Sequence, residues 1–127
     1  MSVVRVALSL IALFVVSGCA TVVTADDARL NVASPEFRAY VERVFREQNT
    51  VLNALAFAVE DSEVPAPSLL AAEKALVDAC GGVNALATAR RDSVKLGMRR
   101  DLKLARSAGV CELATRQAAA ALDSGVR

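Results

Sequence analysis

The longest regular pattern in the chain begins at Phe37. Phe37, Val41, Val44, Phe45, Gln48, Leu52, Leu55 and Val59 recur at three- and four-residue steps, with Arg38, Glu42, Arg43, Arg46, Glu47 and Asn53 mostly between them. That spacing puts one apolar stripe down one side of an α-helix. Ser34-Pro35-Glu36 supplies its start. Serine caps, proline suits the first helical position, and glutamate favours the positive end of the helix dipole. The pattern predicts a helix over 34–60. Asp61 to Pro67 holds two prolines and reads as a turn. A second stripe follows: Leu69, Ala72, Leu76, Cys80, Val83, Ala87 and Val94. It keeps its phase across Gly81-Gly82, so that pair either kinks one long helix over 68–95 or interrupts it briefly. Each glycine costs about 1 kcal/mol against alanine in a helix interior.

The remaining segments are less regular. Residues 98–123 read as a third helix with two candidate inner faces. One is Leu102, Ala105, Leu113 and Ala121; the other is Leu104, Ala108, Cys111, Ala118 and Leu122. Gly109 is at odds with this helix, and a rival layout ends a helix at Ser107-Ala108-Gly109 and starts a short one at Val110. Residues 20–33 show no sustained period and read as a tether. Fully extended, such a segment spans up to ~3.5 Å per residue, enough to hold a domain tens of ångströms from its attachment.

Val6 to Val16 is an apolar run of eleven residues broken only by Ser9, with Arg5 before it and Ser17-Gly18-Cys19 after it. A charged start, a short apolar core and small residues at the exit describe a secretory signal. A membrane span needs about 20 apolar residues, and this run is shorter. Val16-Ser17-Gly18-Cys19 resembles the lipobox of bacterial lipoproteins. The resemblance implies that residues 1–18 are a signal peptide. The Cys19 thiol would receive a diacylglyceryl group, and its amine is often acylated after cleavage. Two or more acyl chains give stable anchoring where one gives marginal binding. Residue 20 is alanine rather than aspartate, which in the Gram-negative pattern implies sorting to the periplasmic face of the outer membrane. The alternative is an ordinary secreted protein cut near Ala20. The expected organisation is therefore a signal peptide over 1–18, a lipidated start and tether over 19–33, and a helical domain over 34–127.

Without the signal peptide, 127 − 18 = 109 residues remain, 23 of them alanine, with no tryptophan and little strand-like alternation. Alanine is the best helix former, so the expected class is all-α. Basic and acidic side chains then balance, but unevenly. Residues 20–80 carry 5 basic and 10 acidic side chains, and residues 81–127 carry 9 and 4. The halves should attract one another on packing. With Cys19 assigned to lipid, Cys80 and Cys111 remain. An exported compartment is oxidising, so the pair reads as a structural disulfide. Two buried thiols or a bond to a partner are the alternatives. If the bridge forms, the chain must reverse between the two cysteines, because one unbroken helix would hold them roughly 40 Å apart. Gly97 marks the expected reversal, as a glycine just past a helix end. The expected architecture is a small three-helix up-down-up bundle.

Candidate chemistry is sparse. The chain has no histidine, the commonest general base. Two cysteines without histidine cannot close a zinc site. Glu60, Asp61 and Glu63 lack the glycine and ligand spacing of a calcium loop and read as a solvated turn. Neither catalysis, nor a metal, nor a cofactor beyond the lipid on Cys19 is expected. Nucleic acid is not an expected partner, because basic and aromatic residues do not interleave. One cluster stands out. Arg90, Arg91, Lys95, Arg99, Arg100, Lys103 and Arg106 place seven cations within seventeen residues, with Asp92 and Asp101 the acids among them. In an up-down-up bundle they surround the second turn, at the end where Ser34 receives the chain from the membrane. They could face phospholipid headgroups or an anionic polymer, or they could pair with acids of the first helix. The expected role is a lipid-anchored envelope protein that binds, as an accessory module, another envelope protein. The alternatives are a protective, immunity-type inhibitory lipoprotein and a binder of lipid or glycan.

Overall fold

The computed structural model describes residues 20–125 of the chain. Its elements are β1 (Thr21–Val23), β2 (Arg29–Asn31), α1 (Pro35–Glu60), α2 (Pro67–Arg91) and α3 (Met98–Gly125). The three helices form a small up-down-up bundle. Cys80 lies opposite Cys111 and Gly82 opposite Ser107, so α2 and α3 run antiparallel. Gln48 of α1 bonds Asn84 of α2, and the earlier Arg38 and Val41 line a cleft with the later Ala87 and Arg90, so those two helices also run antiparallel. The start of α1, the end of α2 and the start of α3 therefore share one end of the bundle. No helix among the described residues is long and apolar enough to cross a membrane.

Local chemistry explains the helix boundaries. The Ser34 hydroxyl accepts from the Phe37 N–H at 3.1 Å, and Pro35 occupies the first turn of α1. The α2 stop differs from expectation. It falls at Arg91, and Ser93, at φ 54°, takes the left-handed position usually given to glycine. The Val94 N–H donates to the Ala89 carbonyl and the Ser93 N–H to the Arg90 carbonyl, the bond pair of a Schellman cap. Val94 thus leaves the α2 stripe and is 57% exposed. Gly97 starts α3 rather than stopping α2: its carbonyl accepts from the Arg100 and Asp101 N–H groups, both at 2.9 Å.

The core follows the predicted stripes closely. Phe37, Val41, Val44, Gln48 and Leu55 of α1 are buried, as are Leu69, Leu76, Cys80 and Val83 of α2. The inner face of α3 is Ala105, Ala108, Cys111, Glu112, Thr115 and Ala118: three come from the second candidate face, Ala105 from the first, and Glu112 and Thr115 from neither. Leu113 points outward at 50% exposure. Neither Gly81-Gly82 nor Gly109 breaks its helix. Gly82 is needed where it stands, because a Cβ there would collide with the Ser107 side chain. The two helices approach this closely one turn from the cysteines. Cys80 and Cys111 meet at disulfide-bonding distance with their Cα atoms 4.5 Å apart and no exposed surface.

The segment expected as a free tether is folded. Thr21, Val22 and Val23 pair with Asn31, Leu30 and Arg29 in an antiparallel hairpin, extended by a Val32 N–H to Ala20 carbonyl bond. Asp27 turns the chain at φ 61°, a conformation that aspartate tolerates better than most residues. Val22 is 1% exposed within the main core. The folded domain therefore includes the hairpin as well as the helices. The strands are three residues each, too short for alternation to register in the sequence.

Closing a loop of 31 residues stabilises the fold by about 3.5 kcal/mol in the chain-entropy description. Replacing Cys80 and Cys111 together by alanine should lower unfolding stability by that order while leaving the helical circular dichroism intact. Urea titration of both forms checks this.

Candidate functional site

A buried carboxylate links the hairpin to two of the helices. Glu112, on α3, has a fully buried side chain. Its Oε2 accepts from the Tyr40 hydroxyl at 2.8 Å and from the Ala25 N–H at 3.1 Å. Its Oε1 accepts from Arg43 Nη2 at 2.9 Å and from Arg116 Nη2 at 2.8 Å. A carboxylate has about four acceptor sites, and donors from α1, α3 and the hairpin turn fill them. Arg43 also lies over the Tyr40 ring, 5.4 Å from its centroid. Arg116 closes a second link to the hairpin, with both guanidinium nitrogens on the Asp26 carboxylate at 2.7 and 2.8 Å.

Electrostatics show which effect wins. Burial pushes the Glu112 carboxyl up, but the hydrogen bonds from Tyr40, Arg43 and Ala25 outweigh it and hold the group below its usual range. Burial and the same carboxylate push the Tyr40 phenol above its usual range. Asp26 is lowered by its hydrogen bond to Arg116. Leaving a buried charge without partners costs several kcal/mol. Glu112 offsets that cost with three donors from the helices and a fourth from the hairpin turn.

Gly109 makes the docking possible. A Cβ at this position would stand 2.5 Å from the Val23 carbonyl oxygen. The glycine that looks out of place in α3 is where β1 rests on the helix.

Docking decides where the chain enters the domain. Ala20 and Thr21 line one cleft with Met98, Asp101, Leu102 and Arg106. The entry point is therefore beside the second turn of the bundle, where the basic cluster lies. Arg90, Arg91, Lys95, Arg99, Arg100, Lys103 and Arg106 are all exposed. Arg91 pairs with its neighbour Asp92 at 2.8 Å. The other six make no ion pair among the described residues, so pairing with acids of α1 does not account for them. Glu60, Asp61 and Glu63 are exposed at the opposite end. Among the described residues no group of three or more potential ligands is placed to hold a metal ion. Cys19, the expected lipidation site, lies outside the described residues, as does the expected signal peptide over 1–18.

The Glu112 cluster escapes sequence reading because its members come from separate segments. Glu112 and Arg116 are spaced as an ordinary surface pair, and Tyr40 and Arg43 likewise. The one available signal is Gly109, a helix-breaking residue kept inside a long helix three positions before Glu112. No family model, curated protein or solved structure matches this chain.

Gly109→Ala should favour α3 locally yet push β1 off it, so limited proteolysis should cut within residues 24–28 of the variant and spare the parent. Glu112→Gln should cost about 3 kcal/mol, at the lower end for a broken buried pair, because both arginines keep access to water. Since the folded carboxyl is held below its unfolded value, its contribution is complete above the usual carboxylate range. It is lost as pH falls through the lowered value. Acid titration of unfolding stability should therefore be flatter in Glu112→Gln than in the parent.

Proposed function

We propose that this chain is a lipid-anchored protein of the cell envelope that works by binding, as an accessory module for another envelope protein. The anchor is the acylated Cys19, and the address is the periplasmic face of the outer membrane. The observation that carries the reading is the position of Ala20. The residue directly after Cys19 sits at one end of a rigid bundle, fixed there by the hairpin, Gly109 and Glu112. A lipid on Cys19 would then hold that end at the bilayer and leave the opposite end free.

The free end is suited to a partner. Phe57 on the last turn of α1 is 76% exposed and Val64 in the following turn is 85% exposed. Phenylalanine is enriched in protein–protein interfaces, so Phe57 with Val64 is the contact pair assigned to the partner. A rigid stalk, rather than a flexible one, keeps such a surface at a fixed height above the membrane.

The anchor and the partner are tested separately. The mature chain should start at Cys19 and carry the mass of diacylglyceryl and acyl groups, and Cys19→Ser should move the protein from the membrane to the soluble fraction. An unacylated mature chain would refute the anchor. Photocrosslinkers at Phe57 and Val64 in intact cells should trap one abundant envelope protein, whereas crosslinkers at Glu73 on the side of α2 should not. Absence of any specific product from Phe57 and Val64 would refute the accessory role.

A further inference from the structure

We propose that the basic end of the bundle is itself a membrane-binding surface for anionic phospholipid. Lys95, Arg99, Arg100 and Lys103 would lie against the headgroups, and Val94 and Met98 would enter the interfacial layer. The orientation rests on the lipidation reading above; the affinity of the surface for anionic lipid does not.

Three observations converge on this end. First, six of the seven cations have no ion-pair partner among the described residues. Cations engaged in holding the fold together would show carboxylates within reach, as Arg43 and Arg116 do. Second, the same turn exposes two apolar side chains. Met98 is 88% exposed and Val94 57% exposed. Cations mixed with open apolar groups are what an interfacial layer accepts: charge to the headgroups, hydrocarbon just below them. Third, the charge of the bundle is polarised. Glu60, Asp61 and Glu63 lie at the far end, so an anionic surface attracts one end and repels the other. Some acids accompany the basic end, namely Glu36, Asp92 and Asp101, but they leave it strongly cationic. Ala20 lies in the cleft beside Met98. A lipid on Cys19 and a bilayer contact at Met98 are thus compatible in one pose.

The test uses residues 20–127, which hold every core residue described above and carry no lipid. The chain has no tryptophan, so Met98→Trp and Phe57→Trp each give a single reporter. Vesicles of equal parts phosphatidylglycerol and phosphatidylcholine should bind the domain, and pure phosphatidylcholine should not. On binding, the Met98→Trp emission should shift to the blue and be quenched by brominated lipid, while that of Phe57→Trp should be unchanged. Each basic residue near an anionic surface contributes about a fivefold gain in partitioning, so Arg99→Gln, Arg100→Gln and Lys103→Gln together should weaken binding about a hundredfold. Binding unchanged in the triple variant would overturn the proposal. So would equal responses of the two reporters, or binding of dextran sulfate without vesicle binding, which would mark a general polyanion site. Because the domain lacks Cys19, vesicle failure refutes this surface alone, and an unacylated mature chain refutes the anchor alone.

Discussion

Two consecutive residues of α3 hold the domain together. Cys111 and Glu112 are both buried, and successive helical side chains point about 100° apart. Cys111 faces α2 and meets Cys80. Glu112, about a quarter-turn round the helix, gathers Tyr40 and Arg43 of α1 with Ala25 of the hairpin. A single turn of one helix thus ties every other element. The two ties differ in kind. The disulfide acts mainly on the unfolded chain. The carboxylate acts on the folded one: donors from α1, α3 and the hairpin offset the cost of burying its charge. The inner face of α3 offers Ala105, Ala108 and Ala118, which bury little apolar area each, and specific ties of this sort compensate for it.

The Glu112 cluster also sets where the chain enters the domain. Were residues 20–33 a free linker, the bundle could point anywhere relative to an attachment at its start. With β1 seated on Gly109 and Ala25 bonded to Glu112, Ala20 stays beside Met98. The unpaired cations and the exposed Met98 share that end, and the acids and exposed Phe57 share the other. Orientation becomes a property of the fold rather than of the linker, and the proposed anchor, membrane contact and partner surface follow from one axis.

The helices were legible because their signals are local. The Phe37-to-Val59 stripe, the Ser34 cap and the Pro65 and Pro67 turn each act over a few residues. The cysteine pair carried the reversal of the chain, and the basic cluster was visible as composition. What stayed hidden is tertiary. The α2 stop uses Ser93 in a conformation expected of glycine, so Gly97 drew attention to the wrong residue. The hairpin strands are too short to alternate, and they persist because the bundle supplies a surface for Val22. Nothing local singles out Glu112, because three of its four partners are 69 to 87 positions away. Gly109, awkward by helix propensity, was the trace that this contact left in the sequence.

The amino-terminal hairpin is an integral part of the domain, tied to it through Glu112. Amide hydrogen exchange at Ala25 reports on this tie, since that N–H donates to the buried carboxylate. Ala25 should exchange about as slowly as the amides of Cys111 and Glu112, by opening of the bundle itself. Exchange at Ala25 as fast as at an exposed loop amide, with α3 still protected, would contradict it and restore the picture of a free tether.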